Sequence, residues 1–304
     1  MRILLLGANG QVGSELRRVL HHHEILAATR PLFDITDPSI GDKIVECKPQ
    51  LVLHCAAFTK VDDAETNPDL AFNVNTRGTK WVARAAAKAR ARLVYLSTDY
   101  VFDGKKHDPY TESDAVNPLN IYGRSKLFGE QEALAACPRT LIVRTSWVYG
   151  MQGHNFVKTI LNHSAQSPEL RVVSDQRGSP TYAYDLAIVI GNLIDRGVDG
   201  LIHAGGEGSC SWYELACAIV QSVQPFCRVL PISSDELGRP AARPLFSALS
   251  PSRLHLYDLH LPPWQDGLRK FIAEYLATQP YPPRESAPLT KVISTEPSRN
   301  TTEL

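Results

Sequence analysis

The sequence predicts an α/β fold in which a doubly wound parallel sheet of the Rossmann type is followed by a smaller C-terminal α/β lobe. Two observations predict this fold. Through the first half of the chain, short apolar runs alternate with helical stretches, and such runs are typical of strands buried on both faces. The first run leads directly into a glycine-rich turn and then into a helix, an order typical of dinucleotide-binding units.

The glycine-rich turn follows the first predicted strand, residues 3–6, and carries Gly7, Gly10 and Gly13. Glycines let the backbone turn sharply and approach a pyrophosphate, and the N-terminus of the following helix offers free N–H groups. The spacing is G-x-x-G-x-x-G rather than the standard G-x-G-x-x-G, so the motif alone does not separate a dinucleotide site from an ordinary turn. Its position after the first strand favours the dinucleotide site.

The later elements continue the alternation. Strands are predicted at 24–29, 51–55, 92–97 and 140–144, and helices at 71–91 and 122–137. Repeated β-α-β units with apolar strands favour a parallel sheet that helices cover on both faces, and ligands of such sheets bind beyond the carboxyl ends of the strands. One site is therefore expected to be lined by the turns that follow Leu6, Thr29, Cys55, Ser97 and Arg144.

Three regions are predicted: a nucleotide-binding domain over 1–150, a substrate-binding lobe over 151–278 and a tail over 279–304. The first boundary is soft, because later elements are candidates to complete the first domain. The tail is rich in Pro, Ser and Thr and has few large apolar residues, so it is expected to be disordered. The second region is predicted to contain helices near 154–166, 182–196 and 211–223 and short strands near 171–174, 201–204 and 228–232.

Composition argues against several classes of function. The 304 residues are 43% hydrophobic and 21% charged, with a formal net charge of +0, which gives no electrostatic basis for nucleic-acid binding. No apolar run approaches the roughly 20 residues of a membrane-spanning helix. Six cysteines form no C-x-x-C pair, which favours reduced thiols and a cytoplasmic protein. The histidine tract at 21–23 suits the end of a helix, with a metal tract as the alternative.

Arg30 ends the second predicted strand, at the position where many dinucleotide folds recognise the ribose of the adenosine. An arginine there suits a 2′-phosphate and favours NADP(H), and a solvated loop arginine is the alternative. Asp34 and Ile35 follow and are candidates to line the adenine. The same stretch also fits a turn with a helix cap at Thr36 or Asp37.

Tyr122 and Lys126 lie four residues apart on a predicted helix, which places both on one face. A phenol has an ordinary pKa of about 10, and a nearby positive charge favours the phenolate. The pair therefore predicts a tyrosine whose pKa is lowered toward neutrality and which exchanges a proton with a carbonyl or an alcohol. A surface pair without chemistry is the alternative.

Further motifs occur in a fixed order along the chain. They are GANGQVG at 7–13, CAAFTKVDDAE at 55–65, FNVNTRGT at 72–79, LSTDYVFDG at 96–104, PLNIYGRSK at 118–126, RTSWVYG at 144–150, DQRGSPTYAYDLA at 175–187 and RPLFSALS at 243–250. With these motifs, residues 1–277 resemble the extended short-chain dehydrogenase/reductase family, and within it the dTDP-4-dehydrorhamnose reductases. The resemblance implies an NAD(P)-dependent oxidoreductase that reduces the C4 ketone of a dTDP-sugar to form dTDP-L-rhamnose.

The resemblance also implies roles for individual residues. Thr98 would orient the substrate ketone, Tyr122 would protonate its oxygen, and Lys126 would hold the nicotinamide ribose. Further substrate contacts are expected from Asp99 and Trp147, and Arg243 is a candidate partner of the substrate pyrophosphate. Cofactor contacts are expected from Gly7, Gly10, Gln11, Val12, Arg30, Asp34, Ile35, Ala57, Phe58, Thr59, Leu96, Tyr122 and Lys126.

Several alternatives stay open. The fold also suits an epimerase or reductase of another nucleotide sugar, or a non-catalytic regulatory subunit like that of methionine adenosyltransferase. NADP(H) is the preferred cofactor with NAD(H) as the alternative, and a homodimer is compatible with the family. Some members bind magnesium between subunits through acidic side chains. Glu15 and Glu274 are acids of that kind, but the stretch 181–185 has tyrosine where those members carry glutamate, so no metal is expected.

Overall fold

The computed structural model describes residues 1–223 and 225–278, so the predicted disordered tail lies outside the described residues. The strands are β1 Arg2–Leu6, β2 Glu24–Ala28, β3 Leu51–His54, β4 Arg92–Thr98, β5 Thr140–Thr145, β6 Val148–Tyr149, β7 Glu169–Val173, β8 Arg177–Gly178, β9 Thr181–Tyr182, β10 Gly200–His203, β11 Cys210–Ser211 and β12 Arg228–Ile232. The α-helices are α1 Gln11–Val19, α2 Ile40–Glu46, α3 Val61–Thr66, α4 Pro68–Phe72, α5 Thr79–Lys88, α6 Ile121–Ala136, α7 Phe156–Ser164, α8 Ala183–Asp195, α9 Trp212–Val223, α10 Ser234–Leu237, α11 Ser252–His255 and α12 Trp264–Thr278.

A six-stranded parallel sheet forms the centre of the fold, in the order β10-β5-β4-β3-β1-β2. Successive side chains of β1 point to opposite faces, as the pleat requires. Ile3 and Leu5 pack with α1 and α8 on one face, whereas Leu4 and Leu6 pack with α2 and α5 on the other. Because both faces are buried, the strands are apolar throughout, and the predicted doubly wound Rossmann-type fold is confirmed.

The chain beyond residue 150 contributes to this sheet. β10 pairs in parallel with β5, with Gly200 opposite Leu141, and the preceding helix α8 packs on α1. Several other later elements, among them α7, α9 and α12, surround a second core that includes Ile160, Ile219 and Phe271, beside the parallel pair β7 and β12. The central sheet thus contains strands from both sides of residue 150. The domain boundary at that residue stays a prediction.

The single helix predicted over 71–91 is interrupted. α4 leads into one π-helical segment, Asn73–Gly78, before α5 begins. The hydroxyl of Thr79 donates to the carbonyl oxygen of Asn75 at 2.7 Å. Such π-turns redirect side chains within a helix, and this one directs the Asn75 amide toward the carboxyl end of the sheet. No helix within residues 1–223 and 225–278 has the length and apolarity that crossing a membrane would require.

Candidate active site

The glycine-rich turn between β1 and α1 has the close backbone approach that an anion cradle needs. Gly7 has φ 79°, and the N–H of Gly10 donates to its carbonyl oxygen at 3.0 Å. A Cβ atom on Gly13 would lie 2.2 Å from the same oxygen, so a side chain there would force the turn open. Gly10 caps α1 and has no side chain to occupy the first N–H groups of that helix, which suits a pyrophosphate.

Gln11 and Val12 begin α1 and face different surroundings. The Gln11 side-chain oxygen accepts a hydrogen bond from Asn155 at 3.0 Å, which joins the glycine turn to the loop before α7. The Val12 side chain is buried in the core against the sheet, so only its backbone is available to a ligand.

Arg30, Asp34 and Ile35 lie beyond the end of β2. Arg30 is exposed, as a residue that meets a 2′-phosphate at the rim of a site would be. Asp34 accepts hydrogen bonds from the N–H and hydroxyl of Thr36, and these bonds lower the pKa of its carboxyl group, with Arg30 adding to the effect. Ile35 is packed in the core. The structure therefore contains the turn that the sequence offered as an alternative, with Asp34 at its start.

Thr98 and Tyr122 meet at the end of β4. The Asn120 side chain caps α6 by accepting from the N–H of Gly123 at 2.8 Å. A Cβ on Gly123 would lie 2.2 Å from the carbonyl oxygen of Tyr100, so glycine lets α6 approach the turn after β4. This close packing brings the Tyr122 hydroxyl within hydrogen-bonding reach of Thr98.

The predicted lowering of the Tyr122 pKa is wrong for this structure. Burial raises the pKa of Tyr122 to about 12, although hydrogen bonding to Thr98 opposes the rise. Lys126 is 2% exposed, and its ammonium donates to the carbonyl oxygen of Leu96 at 2.6 Å. Burial lowers the pKa of Lys126 to about 7, with Glu130 acting in the opposite direction. Desolvation disfavours both charged forms, which the helical spacing alone does not reveal.

Asn75 fixes the loop that follows β3. Its side-chain oxygen accepts from the N–H of Phe58 at 2.8 Å, and its amide nitrogen donates to the Phe58 carbonyl at 3.0 Å. The same nitrogen donates to Ser125 at 2.9 Å, and Ser125 in turn donates to the Tyr122 carbonyl at 2.8 Å. Asn75 is not among the site residues that the sequence predicts. Its place in the FNVNTRGT motif is the sequence feature that could have marked it. Through its bonds to Phe58 and Ser125, Asn75 links the 57–59 loop to α6.

A cavity of about 690 Å³ lies between the sheet and the second core. Asp62 and Tyr100 line it from one side, and Trp212 lines it from the other. The remaining lining residues are Thr59, Val61, His154, Asn155, Phe156, Thr159, Val172, Val173, Gln176, Ser234, Asp235, Leu237, Arg239, Ala241, Ala242, Arg243 and Leu245. This volume is typical of small-molecule sites.

Arg243 lines the cavity and is held by an ion pair with Asp62, which lines the same cavity. Its guanidinium donates to Asp62 at 2.7 Å and to the carbonyl of Ala241 at 2.8 Å. Burial disfavours its charge, but the hydrogen bond and charge of Asp62 outweigh this effect and raise the pKa of Arg243. Arg239 also pairs with Asp62, at 3.4 Å. Two arginines thus share the Asp62 carboxylate in the wall of the cavity, and Asp235 lines the same cavity.

Asp99 and Trp147 do not line the cavity among the described residues. Asp99 is 2% exposed and lies behind Thr98, which donates to it at 3.1 Å, while Ser247 donates at 2.6 Å. Trp147 stacks on Trp212, with ring centroids 3.4 Å apart and planes 4° from parallel. A direct contact of either residue with a sugar stays a prediction. In this structure Asp99 supports Thr98, and Trp147 supports the cavity wall formed by Trp212.

The acids considered for a metal lie together, but they have other partners. Glu274 accepts from Arg18 at 2.7 Å and from the hydroxyl of Tyr182 at 2.6 Å. Glu15 is buried, and burial raises the pKa of its carboxyl group, with Arg18 opposing the rise.

A sequence model of the family described as RmlD substrate binding domain matches residues 1–277. The chain belongs to this family. Spore coat polysaccharide biosynthesis protein SpsK of Bacillus subtilis is 38% identical over 276 residues, covering 90% of this chain and 97% of the relative. The dTDP-4-dehydrorhamnose reductase of Mycobacterium tuberculosis is 41% identical over 283 residues, covering 90% of this chain and 92% of the relative.

A crystal structure of dTDP-4-dehydrorhamnose reductase from Bacillus anthracis in complex with NADP is 42% identical, with a TM-score of 0.87. The match covers 90% of this chain and 99% of the Bacillus anthracis chain. The predicted resemblance is confirmed, and this member of the RmlD substrate binding domain family is an NAD(P)-dependent oxidoreductase. The roles of its individual residues stay predictions that rest on the geometry described above.

Proposed function

We propose that this chain is a dTDP-4-dehydrorhamnose reductase that uses NADPH to reduce the C4 ketone of dTDP-4-dehydro-6-deoxy-L-mannose. The observation that carries the proposal is the meeting of Thr98 and Tyr122 at the carboxyl end of β4. Lys126 lies on the same helix, and the glycine turn lies at the same edge of the sheet. Relatives that carry this enzyme name cover almost the whole of the chain.

The chain would direct a proton to the ketone oxygen. NADPH, when bound, supplies the hydride that adds to the ketone carbon. Thr98, whose hydroxyl donates to Asp99 in this structure, would turn that hydroxyl to the ketone oxygen and orient it, and Tyr122 would deliver its hydroxyl proton to the same oxygen. Because burial raises the pKa of Tyr122 to about 12, the hydroxyl stays protonated at neutral pH until the developing negative charge draws the proton away.

The rest of the site would hold the two nucleotides. The glycine turn and the N-terminus of α1 suit the cofactor pyrophosphate, and the exposed Arg30 suits the 2′-phosphate of NADPH. Lys126 suits the nicotinamide ribose. The 690 Å³ cavity suits the dTDP part of the substrate, with Arg243 and Arg239 facing its pyrophosphate and Trp212 offering a stacking surface for the base.

The test is to follow NADPH and NADH absorbance with enzymatically prepared dTDP-4-dehydro-6-deoxy-L-mannose. Consumption of NADPH that is faster than that of NADH, with formation of dTDP-L-rhamnose, is the expected result. An Arg30→Gln variant should lose most of the preference for NADPH while keeping turnover with NADH. No consumption of either cofactor by a folded protein that binds them would contradict the proposal. Turnover of another nucleotide sugar in its place would move the assignment to that substrate.

A further inference from the structure

A cluster of three metal-binding side chains lies outside the proposed active site. It comprises Glu207, His255 and His260, here named the Glu207 cluster. The Glu207 carboxylate lies 3.3 Å from Nε2 of His255 and 3.6 Å from Nδ1 of His260. One ligand atom from each residue lies within 4.8 Å of those of the other two, and the imidazole ring centroids are 4.2 Å apart.

The backbone holds the cluster in place. The N–H of Glu207 donates to the carbonyl of Pro262, and the N–H of Trp264 donates to the carbonyl of Glu207, both at 3.0 Å. These two bonds fix the loop after β10 against the segment that carries His260. His255 ends α11, which is anchored by the fully buried Leu254. The three side chains therefore converge from a rigid framework, while they keep enough exposure for an ion to reach them.

We propose that the Glu207 cluster binds a divalent transition-metal ion of the zinc type. Two imidazoles and one carboxylate are ligands that zinc favours, whereas calcium and magnesium favour oxygen ligands alone. In a tetrahedral zinc site with bonds of about 2.0–2.1 Å, neighbouring ligand atoms lie roughly 3.3 Å apart. The distances of 3.3 and 3.6 Å from Glu207 are already close to this spacing, and the two imidazole nitrogens lie within 4.8 Å of each other. A water molecule would complete the coordination.

The bound ion would act on the fold rather than on the reaction. It would join the loop after β10, at the edge of the central sheet, to α11 and to the segment that leads into α12. Among the described residues that line the 690 Å³ cavity, none belongs to the Glu207 cluster. Occupancy should therefore raise the thermal stability of the protein, since a ligand that binds only the folded state stabilises it. It should leave reductase activity unchanged.

The histidine tract at residues 21–23 offers a competing surface site, so the experiment uses the His21→Ala/His22→Ala variant as its reference protein. Zinc sulfate is titrated calorimetrically into the reference protein, and one equivalent is expected to bind. Each of the substitutions His255→Ala, His260→Ala and Glu207→Gln, introduced singly into the reference protein, should weaken zinc binding at least about tenfold, because each removes a ligand. The matched control is His107→Ala, which removes an exposed histidine elsewhere and should leave binding unchanged.

Cobalt(II) provides a second readout. The reference protein with one equivalent of cobalt should show the intense visible absorption of tetrahedral coordination, and the His255→Ala variant should not. Unfolding temperatures measured without metal establish that each variant is folded. The proposal would be overturned if the His255→Ala and His260→Ala variants both kept the zinc affinity of the reference protein. It would also be overturned if the reference protein itself did not bind zinc.

Discussion

At the scale of single residues, burial decides whether Tyr122 and Lys126 are charged. Tyr122 and Lys126 lie one helical turn apart, and the spacing predicts that the ammonium favours the phenolate. In the structure both groups are withdrawn from water, which raises the pKa of Tyr122 to about 12 and lowers the pKa of Lys126 to about 7. The result is a tyrosine that stays a proton donor, as ketone reduction requires.

Removing only the Tyr122 hydroxyl tests its role as the acid. Tyr122→Phe should lower kcat roughly 100- to 10,000-fold, since proton transfer by a positioned side chain contributes about that much. NADPH affinity, measured by titration of cofactor fluorescence, should change little because the ring remains. Tyr275→Phe, at a partly buried tyrosine packed against the second core, serves as the control. Near-normal turnover in Tyr122→Phe would exclude the acid role.

Asp99 makes the stability of the protein depend on pH. Burial raises the pKa of its carboxyl group from 3.8 to about 7, although Ser247 and Thr98 donate hydrogen bonds that oppose the rise. The folded state therefore holds a proton that the unfolded state releases at lower pH. This contribution to stability is complete below the unfolded pKa and is lost as the pH rises through the folded value.

Asp99→Asn removes this titration and measures it directly. The unfolding temperature of the variant minus that of the parent protein should be larger at about pH 8 than at about pH 5, by a few degrees. Differential scanning calorimetry at both pH values checks this difference, with the exposed Asp69→Asn as the surface control. A difference that is equal at both pH values, or larger at the lower one, would contradict the raised pKa.

At the scale of elements, one π-turn aligns the loop after β3 with helix α6. A regular helix over 71–91 would place the side chains on a continuous spiral. The segment Asn73–Gly78 instead directs the Asn75 amide to both backbone groups of Phe58 and to Ser125. The predicted cofactor loop, residues 57–59, is therefore held at a fixed distance from the helix that carries Tyr122.

Asn75→Ala should loosen that alignment. Loss of a partner for the partly buried N–H of Phe58 should lower the free energy of unfolding by about 1 kcal/mol. NADPH should also bind more weakly, because the loop must then be ordered by the cofactor itself. Urea unfolding and fluorescence titration check the two effects, with Asn192→Ala on the outer face of α8 as the matched control. Unchanged cofactor affinity would limit Asn75 to a purely structural role.

At the scale of the whole molecule, an ion pair crosses the seam between the sheet and the second core. Asp62 on α3 holds both Arg243 and Arg239, which come from the loop after α10. Because both guanidinium groups converge on one carboxylate, we expect the substrate pyrophosphate to bind beside them while Asp62 keeps the two arginines in place. We therefore expect the nucleotide part of the substrate to bind at this seam.

Arg243→Gln should weaken substrate binding in particular. The KM for the nucleotide sugar should rise roughly 10- to 100-fold, as expected for loss of one hydrogen bond to a charged group. The KM for NADPH should stay within error, since the cofactor turn lies elsewhere. Steady-state kinetics with both substrates varied measure the two KM values separately, and Arg228→Gln, at an exposed arginine of β12, is the control. Equal increases in both constants would point to a general disturbance of the fold.

The sequence by itself determined the doubly wound sheet, the glycine turn and the family, because all three follow from local pattern. The short apolar run at residues 3–6 is bounded by a glycine turn and forms a buried strand, and the glycines at 7, 10 and 13 permit a turn that other residues would obstruct. The ordered motifs extended this information to the proposed catalytic residues Thr98, Tyr122 and Lys126.

Only the tertiary structure decided how those residues are charged and what surrounds them. Desolvation depends on the atoms packed around a group, so spacing along a helix did not reveal the raised pKa of Tyr122. The return of β10 to the sheet and the pairing of Asp62 with Arg243 join segments far apart in sequence. The convergence of Glu207 with His255 and His260 is of the same kind, since it arises from packing and leaves no periodic trace in the chain.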